Sequence, residues 1–113
     1  MGIKNLNKQQ RPREKALLTG IDQLSDMELI AILIGYGNKN KDVLDISYGL
    51  IKKYGSLGSI LKLSLDELMT NDGIKLAKAI KIAAINEIYL RVKKQEALAK
   101  ETITLIGAGN IFR

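Results

Sequence analysis

The stretch TNDGIKLAKAIKI, residues 70–82, holds the residue types in this chain best suited to meeting a ligand. Gly73 can adopt a left-handed backbone that side chains disfavour, which lets a turn close tightly ahead of the helix that follows. Lys75, Lys78 and Lys81 come next, and on a 3.6-residue helix they fall within an arc of about 120°. A cationic stripe on the first turns of a helix, where the backbone dipole is also positive, suits phosphate. Contacts of that kind carry no base information, so the binding they support is independent of nucleotide sequence and sensitive to salt. The same spacing fits the solvated face of an otherwise buried helix, and it leaves both readings open.

Covalent chemistry has little to work with. The chain contains no histidine and no cysteine, which removes the commonest general base, the commonest nucleophile pairs and the imidazole and thiolate ligands of zinc. Asp42, Asp45, Asp66 and Glu67 sit where the first turns of helices favour negative charge, and capping explains them. No catalytic residue, metal site or cofactor is expected. Four tyrosines and one phenylalanine, not interleaved with basic residues, argue against a single-strand groove built on stacking. Duplex or branched DNA backbone is the better nucleic-acid target. Two other glycine segments are weaker candidates. Gly55 in GSLGSIL reads as a helix stop, and in TLIGAGN the third glycine of a dinucleotide turn would fall at Phe112, so that segment reads as linker.

Charge is distributed unevenly over a net +6. Lys4, Lys8, Arg11, Arg13 and Lys15 face Glu14 alone in residues 1–15, and Lys75, Lys78, Lys81, Arg91, Lys93 and Lys94 face Glu87 alone in residues 75–94. With 113 residues, 46% of them apolar, the chain suits one modest domain. Its longest apolar run, LIAILI at 29–34, is far shorter than the roughly 20 residues of a membrane span. A cytoplasmic location with no membrane partner is the expectation.

The elements that must position these residues are all helical. Pro12 suits a first helical position and Gly20 a stop. Ser25 with Glu28, and Ser64 with Glu67, have the spacing of a reciprocal capping box, while Asp42 and Ser56 cap two further helices. A long helix from about Lys75 to residue 99 is apolar on nearly every side in its first half, which reads as the central element. Its second half is mostly polar, with Glu87 and Arg91 spaced as an ion pair. The expected buried set includes Leu29, Ile30, Leu33, Leu44, Leu50, Leu68, Ile80, Ala83 and Ala84.

RPREKALLTG at 11–20, LSDMELIAILIGYG at 24–37, VLDISYGLIKKYGSLGSIL and DELMTNDGIKLAKAIKIAAINEI resemble, in one unbroken register, the N-terminal region of bacterial RadC-type proteins. That resemblance implies a helix-hairpin-helix-like region, which in the family precedes a JAB/MPN-type domain with a zinc-binding HxH…SxxD motif and carries a DNA-repair label. Without histidine, the HxH pair is absent from this chain. Gly73 and Ile74 match the first glycine of the family's turn and the apolar residue that anchors it. Lys75 stands in place of the second glycine and Leu76 in place of the proline, with Asp72 adding a negative charge.

The resulting expectation is an all-α, compact five- to six-helix bundle with a helix-hairpin-helix-like turn and a long central C-terminal helix. Residues 1–10 read as a flexible basic tail, 11–100 as the RadC-like helical domain, and 101–113 as a linker toward a C-terminal domain. Gly73, Ile74, Lys75, Lys78 and Lys81 are the nucleic-acid-binding candidates. The function expected is a noncatalytic module contacting DNA backbone without sequence preference. The alternative is a protein-interaction or interdomain docking domain that binds no nucleic acid, with the JAB/MPN-type domain of the full-length form as its partner.

Overall fold

The computed structural model describes residues 11–106, with residues 103–106 described by their backbone alone. The expected basic tail over 1–10, including Lys4 and Lys8, and the 107–113 part of the expected linker lie outside the described residues. Among the described residues six α-helices follow one another: α1 (Pro12–Thr19), α2 (Asp26–Ile34), α3 (Val43–Tyr54), α4 (Leu57–Leu61), α5 (Leu65–Met69) and α6 (Leu76–Ile106). A single 3-10 turn, Ile21–Gln23, joins α1 to α2, and no strand occurs among the described residues.

Local chemistry sets most of these boundaries. Ser25 Oγ accepts from the Glu28 amide at 3.1 Å while Glu28 Oε1 accepts from the Ser25 amide at 2.9 Å, so two of the donors stranded at the start of α2 are satisfied. Ser64 and Glu67 repeat the arrangement at 3.1 and 2.9 Å before α5. Asp42 caps α3 through the Asp45 amide at 2.9 Å. Glu28 also receives the Lys15 ammonium at 3.0 Å, which ties α1 to the start of α2. Burial alone would raise the Glu28 pKa, but the Ser25 amide, the Ser25 hydroxyl and the Lys15 ammonium outweigh it and hold the carboxyl below its ordinary value.

The fold divides into two units, Met1–Ala83 and Ala84–Arg113. In the first, α2 and α3 supply Ile30, Ala31, Ile34, Val43, Ile46 and Leu50, more than half of the core cluster. Ile60 from α4 and Leu68 from α5 are fully buried and close it. Leu29, Leu33 and Leu44, expected inside, are half-buried, with Leu33 and Leu44 packed against the cluster.

Two expected core residues are not in it. Ile80 is 50% exposed and Ala84 is exposed as well, while Ala83 is half-buried. Ile74, Ala79 and Ile82 are buried instead. The reason is rotational. The first half of α6 is apolar on nearly every side, so composition does not select a face. The buried anchor Ile74 selects it, bringing Ala79 and Ile82 inward and leaving Ile80 and Ala84 on the far side of the helix. α6 thus contributes Ala79 and Ile82 to a core to which α2 and α3 supply the larger share. In the second unit, Glu87 accepts from Arg91 Nε at 2.9 Å as the spacing predicts, and the helix continues past residue 99 to Ile106.

Candidate nucleic-acid interface

Gly73 has φ +86°, and the space a Cβ would occupy is taken by Cδ1 of Ile46 on α3. The missing side chain therefore serves close packing of the turn on α3, and that side of the glycine faces protein. The next amide is also engaged: Ile74 N donates to the Asn71 carbonyl at 3.1 Å. Asn71 holds the turn from behind, its Nδ2 donating to the Glu67 and Leu68 carbonyls at 3.1 Å each and to the Tyr54 hydroxyl at 3.0 Å. That contact with Asn71, followed by the nearby Lys53 charge, lowers the Tyr54 pKa against the opposing effect of burial. Ile74 itself is 2% exposed and acts as the anchor of the turn.

Facing the turn is the loop between α2 and α3. Asn38 Oδ1 accepts from the Asn40 and Lys41 amides at 2.8 and 2.9 Å, an Asx-type turn that folds the loop back on itself. Gly37 permits the fold: a Cβ there would run into the Lys41 carbonyl and lie 2.7 Å from Asp42 Cα. Two contacts then join loop to turn. Asn38 Nδ2 donates to Asp72 Oδ1 at 3.1 Å, so the acidic residue beside the turn already has a donor. Lys78 Nζ donates to the Tyr36 carbonyl at 2.6 Å and to the Gly73 carbonyl at 3.4 Å, and lies 4.0 Å from the centroid of the Tyr36 ring.

Between loop and turn runs a groove of about 500 Å³ whose walls include Lys39, Lys75 and Lys78, with Asp72 as the acidic side chain among them. Gly73 and Lys75 reach it from the turn. Ile74 lies in the core beneath, and Lys81, exposed on α6, is not part of the wall. The three lysines of the stripe therefore differ in surroundings. Lys75 and Lys81 are exposed, whereas Lys78 is half-buried and held; burial, and after it the Lys81 charge, lowers its pKa. Lys75 immediately precedes α6, its carbonyl accepting from the Ala79 amide at 2.9 Å, and its side chain offers no acceptor to cap the first amides of the helix.

Of the candidates read from the sequence, Gly73, Lys75 and Lys78 line the groove; the opposing wall was not among them. Tyr36, Asn38 and Lys39 belong to it, and their available signal was the run GYGNKNK, rich in turn formers and lysine between two capped helices. Among the described residues no three His, Cys, Asp or Glu side chains come together where they could hold a metal ion. No helix among them is long and apolar enough to cross a membrane.

These features define a small all-helical module with a basic groove between an interhelical loop and a glycine turn. The family model described as UPF0758 N-terminal matches residues 3–80, and the chain belongs to that family, the RadC family. It is 45% identical over 87 residues to a UPF0758 protein of Clostridium perfringens, which takes in 77% of this chain and 38% of the relative. A UPF0758 protein of Protochlamydia amoebophila is 36% identical over 101 residues, 89% of this chain and 44% of the relative. One from Flavobacterium johnsoniae is 37% identical over 102 residues, with 90% and 44% covered. The chain thus spans about two fifths of the length of these curated relatives. No solved structure matches it.

Proposed function

We propose that this chain is a noncatalytic helical module that contacts DNA backbone, without sequence preference, through the groove between the 36–40 loop and the 72–78 turn. The observation that carries the reading is the makeup of the groove walls. Three lysines stand there against a single carboxylate that is itself hydrogen-bonded to Asn38. Lysine side chains are the contacting groups in this reading, since Ile46 occupies the Cβ side of Gly73 and Asn71 occupies the Ile74 amide. Each lysine that neutralises a phosphate releases counterions, so affinity falls with salt at about 0.9 log units per contact per log unit of salt.

The test is a salt titration of labelled duplexes of two unrelated sequences. Equal affinities are expected for the two. Replacing Lys39 and Lys75 together by glutamine flattens the salt slope by about two contacts' worth. No binding at ~50 mM salt, where backbone contacts are strong, overturns the proposal.

A second reading draws on the unit Ala84–Arg113, where Ile88 is 62%, Tyr89 53% and Leu98 52% exposed. In it the module binds no DNA and docks a further domain of the full-length protein, of the JAB/MPN type that the family resemblance implies. Under that reading the Lys39 and Lys75 replacements leave any weak DNA binding changed only as net charge dictates.

A further inference from the structure

We propose that Tyr36 is a stacking platform for an unpaired base, so that the groove prefers DNA with a single-stranded extension or branch over blunt duplex. The inference rests on the nucleic-acid reading above and adds to it the kind of DNA bound.

Tyr36 is 72% exposed, so burial of its ring contributes little to the fold, yet the residue is held at two points by one side chain. The Lys78 ammonium donates to its carbonyl at 2.6 Å and sits 4.0 Å from its ring centroid. That is the shortest of three lysine–tyrosine ring contacts among the described residues, the others being 5.3 and 5.9 Å. A cation over one π face fixes the ring by its quadrupole. With that face occupied the residue is still 72% exposed, and the opposite face is the one assigned to the base. A fixed exposed ring is a pre-organised one, because little rotamer freedom remains to be lost when a ligand stacks on it.

The place of the ring gives the ligand its chemistry. Tyr36 lines the same groove as Lys39 and Lys75, so a strand whose phosphates meet those lysines passes beside the ring. Bases inside a duplex are stacked on one another and offer no face to it. An unpaired base does, and stacking is tolerant of base identity because every base has a π face. Lys78 is then a positioning residue, holding the platform, and Lys39 and Lys75 are the phosphate contacts. This assignment differs from one in which Lys75, Lys78 and Lys81 act as equivalent members of one stripe.

The full 113-residue chain is titrated against three probes at one salt concentration. They are a blunt duplex, the same duplex with a short unpaired thymine tail, and that duplex with an abasic tail of equal length. The abasic tail carries the phosphates without the bases. The thymine-tailed duplex is expected to bind tighter than the abasic-tailed one by at least about fivefold. In Tyr36→Leu, which keeps the backbone carbonyl that Lys78 grips, this difference between the thymine and abasic tails disappears. Tyr36→Trp retains the difference. Equal binding of thymine and abasic tails by the parent chain, or a difference that survives in Tyr36→Leu, overturns the stacking role and leaves the backbone reading standing. Failure of the parent chain to bind any of the three overturns both. The abasic comparison needs no variant, so the test holds even if Tyr36→Leu folds poorly.

Discussion

Gly73 and Ile46 occupy each other's space: a Cβ on the glycine would run into Cδ1 of the isoleucine and lie 3.0 Å from its Cγ1. The turn that opens toward the groove on one side is thus locked to α3 on the other, at a backbone angle of φ +86° that side chains rarely adopt. Gly73→Ala is expected to lower the unfolding free energy by about 1–3 kcal/mol, from overpacking and strained backbone together. Ile46→Val removes the atom in closest conflict. The double variant is therefore expected to be more stable than the sum of the two single losses, by at least about 0.5 kcal/mol. Urea denaturation of the four proteins measures the cycle, and strict additivity would show that the glycine is required for some other reason.

Acid should weaken the start of α2 through Glu28. Its folded pKa lies below the ordinary value of 4.5, so the folded state holds the carboxylate more tightly in its charged form than the unfolded state does. The stability this gives is fully present above the ordinary value and is lost as pH falls from there through the lowered folded value. Glu28→Gln keeps an acceptor for the Ser25 amide but loses the ionised partner of Lys15. It is expected to be less stable than the parent by roughly 1 kcal/mol at neutral pH, with the two converging in acid below the folded value. Denaturation midpoints of both proteins across pH 2 to about 7 check it; a gap that persists undiminished in acid would assign the loss to packing.

Lys75 separates two ways of meeting phosphate. If turn amides were the contacts, Lys75→Gly would open the backbone and strengthen DNA binding. The amide of Ile74 is already bonded to Asn71, and the Cβ side of Gly73 is filled by Ile46. Lys75→Gly is accordingly expected to weaken duplex binding as much as Lys75→Gln does, each removing close to one contact from the salt slope. Tighter binding by Lys75→Gly in the same titration would restore the amide mode.

What the sequence disclosed and what it withheld follow the range of the interactions. Ser25 with Glu28 and Ser64 with Glu67 close their capping boxes within one helical turn, and three-residue spacing is enough to read them. Pro12 at the start of α1 and the lysines on α6 were legible for the same reason. The opposing wall of the groove was not, because Lys78 reaches Tyr36 across 42 positions of sequence and Asn38 reaches Asp72 across 34. Neither spacing carries a period. The phase of α6 was also hidden, since a helix apolar on most sides gives periodicity nothing to select. Burial of Ile74 decides the phase, and that depends on where the turn meets α3.

That phase makes a prediction that also bears on the groove. Ile82 is 1% exposed and Ile80 50%, although the two side chains are identical and only two positions apart. Ile82→Ala should cost about 2–5 kcal/mol, as large-to-small changes in a packed core do. Ile80→Ala should change stability by no more than about 0.5 kcal/mol, because the surface lost is already half in water and alanine favours the helix. Urea midpoints, with unchanged slopes to confirm that the unfolded state is the same, give the comparison. Reversal of the ranking would mean that α6 is turned to present Ile80 and Ala84 to the core. The same rotation would swing Lys78 away from the α2–α3 loop, breaking its hold on the Tyr36 carbonyl and ring. A stability measurement on two isoleucines thus tests the geometry on which the lysine groove and its aromatic wall depend.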